Sequence, residues 1–126
     1  MQKTSEFVIT VHSTPRVIEV VYPSHPTAEA YFRYEQQIRA AIIAMAGEWD
    51  CLVDQRALKV APPEIAGRLA SLNAWAREHG MRRTTRVVAE SAISEIQARR
   101  ITREAQLTEE AKLFHSRDEA WKHLAG

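Results

Sequence analysis

Three short polar stretches carry the side chains that could do chemistry: Asp54-Gln55-Arg56, Glu90-Ser91 and His115-Ser116, with Asp118 just beyond the last. A carboxylate, a hydroxyl and an imidazole are the parts of acid–base or nucleophilic catalysis. An arginine beside them binds carboxylate or phosphate groups through paired N–H donors. Two catalytic groupings can be written, Ser116 with His115 and Asp118, or Ser91 with Glu90. Both join sequence neighbours, which catalytic triads seldom do, and the chain has no G-x-S-x-G elbow. The same residues also fit plainer roles. Ser91 and Ser116 suit helix N-caps, and Asp54 and Glu90 suit caps or ion pairs. The expectation is therefore no catalytic residue, with Asp54, Gln55, Arg56, Glu90, Ser91 and His115 forming a candidate surface for a partner or ligand.

A second feature is basic. Arg82, Arg83, Arg86, Arg99, Arg100 and Arg103 are interrupted by only two acids, Glu90 and Glu95. Such a stripe can dock phosphates or an acidic protein, or it can be a solvated face with some arginines paired to nearby carboxylates. The stretch has no aromatic residue on which a base could stack, so nucleic acid is not expected. The chain-wide net charge of +1 gives no general attraction for nucleic acid or membrane either. No histidine pair has metal-ligand spacing. His79 and His123 fall where helices end, a favourable place for a cation. The single Cys51 lies in an apolar run and reads as an inert core thiol. The four glycines are too scattered to cradle a phosphate. No cofactor and no metal are expected.

These side chains must be positioned by alternating strands and helices. Residues 6–12 and 16–22 are rich in β-branched residues and flank Ser13-Thr14-Pro15, a hairpin composition. Ala28, Tyr31, Ile38, Ala41, Ile42 and Met45 recur at helical spacing, with Pro26 placed in the first turn and Gly47 as the stop. Trp49 to Asp54 reads as a buried strand. Pro62-Pro63-Glu64 opens a second helix, which Gly80 closes. Residues 84–89 read as a strand, Ser91 caps a third helix, and residues 112–115 form a last short strand. Ser116-Arg117-Asp118-Glu119 matches a capping box for a final helix. Trp49, Trp75 and Trp121 all fall on inward faces. Tyr31, Phe32 and Tyr34 cannot all face inward, so at least one is exposed and is a candidate homodimer or ligand contact.

Several of these segments resemble the STAS superfamily (sulphate transporter and anti-sigma-factor antagonist), in particular its stand-alone SpoIIAA-like members. The segments are Trp49-Asp50-Cys51-Leu52-Val53-Asp54, Leu72-Asn73-Ala74-Trp75-Ala76 with Gly80-Met81-Arg82-Arg83, and Phe114 followed by Glu119-Ala120-Trp121-Lys122-His123-Leu124. The resemblance covers nearly the whole chain and implies a protein-binding loop after the third strand, at Asp54 to Arg56. In anti-sigma-factor antagonists a serine that accepts phosphate follows this aspartate. Here Gln55, Arg56 and Ala57 follow, and no Ser or Thr occurs before Ser71. The phospho-switch is therefore not expected.

At 126 residues and 45% hydrophobic composition, the chain has the length of one domain with a real core. The expected fold is α/β: a single-domain STAS-like (βα) superhelix in the order β-β-α-β-α-β-α-β-α, with a mostly parallel sheet and an antiparallel N-terminal hairpin strand. The start of the chain lacks the apolar core of a signal peptide, and no run is long enough to span a membrane, so a cytoplasmic protein without membrane insertion is expected. The leading functional expectation is a non-enzymatic protein-interaction or regulatory domain with an unknown protein partner. A carrier for a small apolar ligand or lipid is the alternative, and a hydrolase the next.

Overall fold

The computed structural model describes residues 6–59, 63–89 and 112–125. Strands β1 (Val8–Ser13), β2 (Arg16–Val21), β3 (Trp49–Asp54), β4 (Met81–Val87) and β5 (Lys112–Phe114) form one sheet in the spatial order β1-β2-β3-β4-β5. The β1–β2 pair is antiparallel and the remaining pairs are parallel. Helices α1 (Ala28–Met45), α2 (Pro63–Glu78) and α3 (Arg117–Ala125) pack on it. The fold is thus α/β with a five-stranded mixed sheet. The helix expected from Ser91 lies outside the described residues.

The steps from β2 to β3 and from β3 to β4 each move one place in the same direction. Right-handed crossovers therefore put α1 and α2 on the same face. Alternating residues of the strands feed two cores. Ile18 and Val20 of β2 and Cys51 and Val53 of β3 meet α1 and α2, through Tyr31, Ile38, Leu69 and Leu72 among others. On the opposite face Val17, Leu52 and Val87 meet Ala120 and Leu124 of α3. All six residues of β3 are buried, as the apolar run predicts for a strand covered on both faces.

The helix ends depart from expectation in instructive ways. Thr27, not Pro26, begins α1. Its Oγ1 accepts the Ala30 amide at 3.1 Å, so Pro26 precedes the cap. At the other end Ala46 already takes the left-handed conformation before Gly47 does. Arg16 stabilises this end by donating to the Met45 carbonyl and, at 3.0 Å, to the Glu48 carbonyl, as a cation at a helix C-terminus should. Gly80 is needed twice over. Its φ is +99°, and a Cβ there would sit 2.1 Å from the Gly47 carbonyl oxygen.

Strand β4 starts at Met81, three residues earlier than its β-branched composition suggests. Its first residues are Arg82 and Arg83, poor strand formers by type. They are held because Asp50 of β3 accepts from both. A register irregularity between Trp49 and Cys51 accommodates the extra length. The tryptophans also divide. Trp49 is buried and donates to the His79 carbonyl at 3.0 Å. Trp75 and Trp121, expected inside, are only partly buried. Trp75 lies under Arg39 and stacks on His79, and Trp121 packs edge-on to His12 beneath Arg117. Polar cover lets these large rings stay half in water. Of the three α1 aromatics, Phe32 is the exposed one, and Arg68 lies 4.4 Å above its ring.

Candidate functional site

Among the described residues, Asp54, Gln55, Arg56 and His115 lie at the carboxyl ends of β3 and β5, but these four do not form one open cleft. Asp54 ends β3 and folds its own loop. Its Oδ1 accepts the backbone N–H of Arg56 at 3.1 Å, an Asx-type turn. The Arg56 side chain then returns to the same carboxylate, Nε to Oδ1 at 3.0 Å and Nη2 to Oδ2 at 2.7 Å. The loop is anchored by Leu58, whose amide donates to the Gln55 carbonyl, and by Lys59, whose amide donates to the Ser24 carbonyl. Arg56 is thereby presented in a fixed posture with 46% of its side chain exposed. Hydrogen bonding to Asp54 pushes its pKa above the usual value, so it is charged at any physiological pH.

Gln55 is not on that surface. It is fully buried, because residues alternate across the strand and Asp54 faces α3 while Gln55 faces the α1–α2 core. His115 lies beyond β5, two strands from Asp54 in the sheet, where its Nδ1 donates to the Val88 carbonyl at 3.2 Å. Ser116 caps α3, its Oγ accepting the Glu119 amide at 3.4 Å. Glu90 and Ser91 lie outside the described residues.

The three described arginines of the basic patch do not share one surface. Arg82 and Arg83 are exposed, but both bind Asp50. Arg86 is wholly buried, on the other face of the sheet. Its strand partner is Val53, which belongs to the α1–α2 core, so the arginine enters that core. Arg99, Arg100 and Arg103 lie outside the described residues.

Two clusters escaped the sequence reading. The first is Glu19 of β2, buried beneath α3. Arg117 donates to it through Nε at 2.7 Å and Nη2 at 2.9 Å, and His12 through Nε2 at 3.0 Å. The Arg117 hydrogen bond is the largest influence and holds the Glu19 carboxyl below its usual range against the opposing effect of burial. A lone acid inside Val-Ile-Glu-Val-Val was the available signal, since an unpaired charge is costly in such a strand. Asp50 behaves alike. Burial would raise its pKa, but Arg83 and then Arg82 outweigh it and keep the carboxyl low.

The second cluster is Arg86 with Gln55. Arg86 Nη1 donates to Gln55 Oε1 at 3.1 Å. Arg86 Nε and Nη2 and Gln55 Nε2 are buried without any hydrogen-bond partner. Among the described residues no carboxylate pairs with this guanidinium. Tyr22 is its neighbour. Burial raises the Tyr22 pKa; the Arg86 charge and a long side-chain interaction of hydrogen-bonding type with Arg86, too loose to satisfy Nε or Nη2, work against that rise. Cys51 on the same face is pushed up to about 12 by burial, so its thiolate is scarce and the thiol inert, as expected. Asp54 and Arg56 on one face, and Gln55 and Arg86 on the other, thus leave the same sheet edge with opposite chemistries.

A shallow apolar hollow of about 250 Å³ lies at the other end of the helices, lined by Ile42, Ile43, Ala46, Gly47, His79 and Gly80. No helix among the described residues is long and apolar enough to cross a membrane, and no cluster of three or more metal-ligating side chains occurs among them. Comparisons of the chain with protein-family models, with curated proteins and with solved structures find no match.

Proposed function

We propose that the chain is a cytoplasmic, non-enzymatic protein-interaction domain of STAS-like architecture, binding its partner through the β3–α2 loop. One observation carries this reading: Arg56 is half-exposed and held rigid by a bidentate grip from Asp54. A cation fixed in this way loses little rotamer freedom on binding, which favours a recognition role. The neighbouring Arg117 and Asp118 act electrostatically on Arg56, so the start of α3 belongs to the same surface. Both arginines already answer a carboxylate of their own chain, so the surface is mixed in sign. That suits a partner offering an acidic side chain to Arg56 and a basic one to Asp118. The position is also that of the partner-binding loop in the family the sequence resembles, with a permanent charge where that family has a switchable serine.

The test is affinity capture from native extract on the immobilised full chain, with bound proteins identified by mass spectrometry. Arg56→Glu should lose a partner that Arg39→Glu, on α1, retains. A partner retained equally by both variants would place the contact elsewhere, and the absence of any specific partner would overturn the reading.

A further inference from the structure

Among the described residues, three arginines close a two-nitrogen fork on a strand carboxylate. Arg56 grips Asp54, Arg83 grips Asp50 and Arg117 grips Glu19, each time with Nε and Nη2 on the carboxylate oxygens. These two nitrogens form one edge of the planar guanidinium, spaced to match two oxygens of a carboxylate or phosphate. Arg86 has that same edge unpartnered while its Nη1 is spoken for by Gln55. Its guanidinium is fully buried, out of reach of bulk solvent. The adjacent Gln55 Nε2 is a third unpartnered donor. All the unsatisfied groups here are donors, and a buried cation needs an anion to offset its lost hydration.

We propose that Arg86 and Gln55 form a binding site for a small oxyanion, a carboxylate or phosphoryl group that sets two oxygens on Nε and Nη2 of Arg86 and receives Gln55 Nε2 on the same group. The site lies on the α1–α2 face, opposite Asp54, and stands independently of the docking surface around Arg56. Tyr22, whose backbone N–H donates to the Asp54 carbonyl just beyond β2, is a side-chain neighbour of this guanidinium.

The experiment is calorimetric melting of the full chain at constant ionic strength, titrating inorganic phosphate in one series and acetate in another. An anion bound only by the folded state raises Tm by about 5 °C once it reaches about ten times its Kd. A saturable rise with acetate alone identifies a carboxylate ligand, and with phosphate alone a phosphoryl ligand. A rise with both supports the shared oxyanion chemistry. Arg86→Met should abolish the response, Arg86→Lys, which keeps the charge without the fork, should weaken it, and Arg39→Gln should leave it intact. Wild-type protein that responds to neither anion overturns the proposal, as does an Arg86→Lys variant that responds as strongly as wild type. These two outcomes decide the matter even if Arg86→Met does not fold.

Discussion

The two faces of the sheet treat charge in opposite ways. Beneath α3, Glu19, Asp50 and Asp54 rise from adjacent strands, and each is held by the side edge of an arginine. Those arginines are partly exposed, so one end of each pair stays hydrated while the carboxylate is buried. On the α1–α2 face the order is reversed: the arginine is buried and the carboxylate is missing among the described residues. The first arrangement completes a structure. The second leaves buried donors without a protein acceptor among the described residues.

This contrast can be broken most forcefully on the α3 side. Replacing both Arg82 and Arg83 by alanine leaves Asp50 buried and unpaired, and should cost about 3–5 kcal/mol, read as a shift in the urea midpoint with unchanged m-value. Arg117→Ala should cost less, about 2 kcal/mol, because His12 still donates to Glu19. The opposite sign is expected across the sheet. Arg86→Met combined with Gln55→Leu removes a buried charge and its amide together, and should stabilise the protein by about 1–2 kcal/mol in anion-poor buffer. A loss of stability there would mean that the Arg86 fork contributes to folding after all.

Acid sharpens the same comparison. The folded-state pKa values of Glu19 and Asp50 are depressed, so the stabilisation they provide is complete above their ordinary values of 4.5 and 3.8 and fades as pH falls through the lower folded values. Urea midpoints should therefore decline below pH 4.5, and Arg117→Ala should flatten that decline by removing the main cause of the Glu19 shift. Arg56→Gln should change stability least, by about 1 kcal/mol or below, since Arg56 is half-exposed and glutamine can still donate to Asp54. Large unfolding by that variant would make Arg56 a structural residue rather than a recognition one. Cys51 should remain unmodified by a thiol reagent at pH 8 in the native state, while the denatured chain reacts at once.

Much of the architecture was legible from local chemistry. Trp49 to Asp54 was bounded correctly because acids and a glycine frame an apolar run. The hairpin and the two central helices followed from β-branched clustering and from apolar spacing. The start of β4 was not legible. Arg82 and Arg83 oppose strand formation by type, and only Asp50 on the neighbouring strand makes them acceptable there.

The candidate site divides along the same line. That Asp54 and Arg56 meet, and that Ser116 caps a helix, are consequences of short sequence separation, so the sequence by itself determined them. Separations that span the fold are different. Arg117 reaches Glu19 across 98 positions, and Arg86 reaches Gln55 across 31. Which arginine finds a carboxylate depends on strand order, on register and on the face to which each residue points. One step along β4 separates a side chain on the α3 face from one in the α1–α2 core, and the pleat of the sheet alone turns a would-be surface arginine, Arg86, into a buried one.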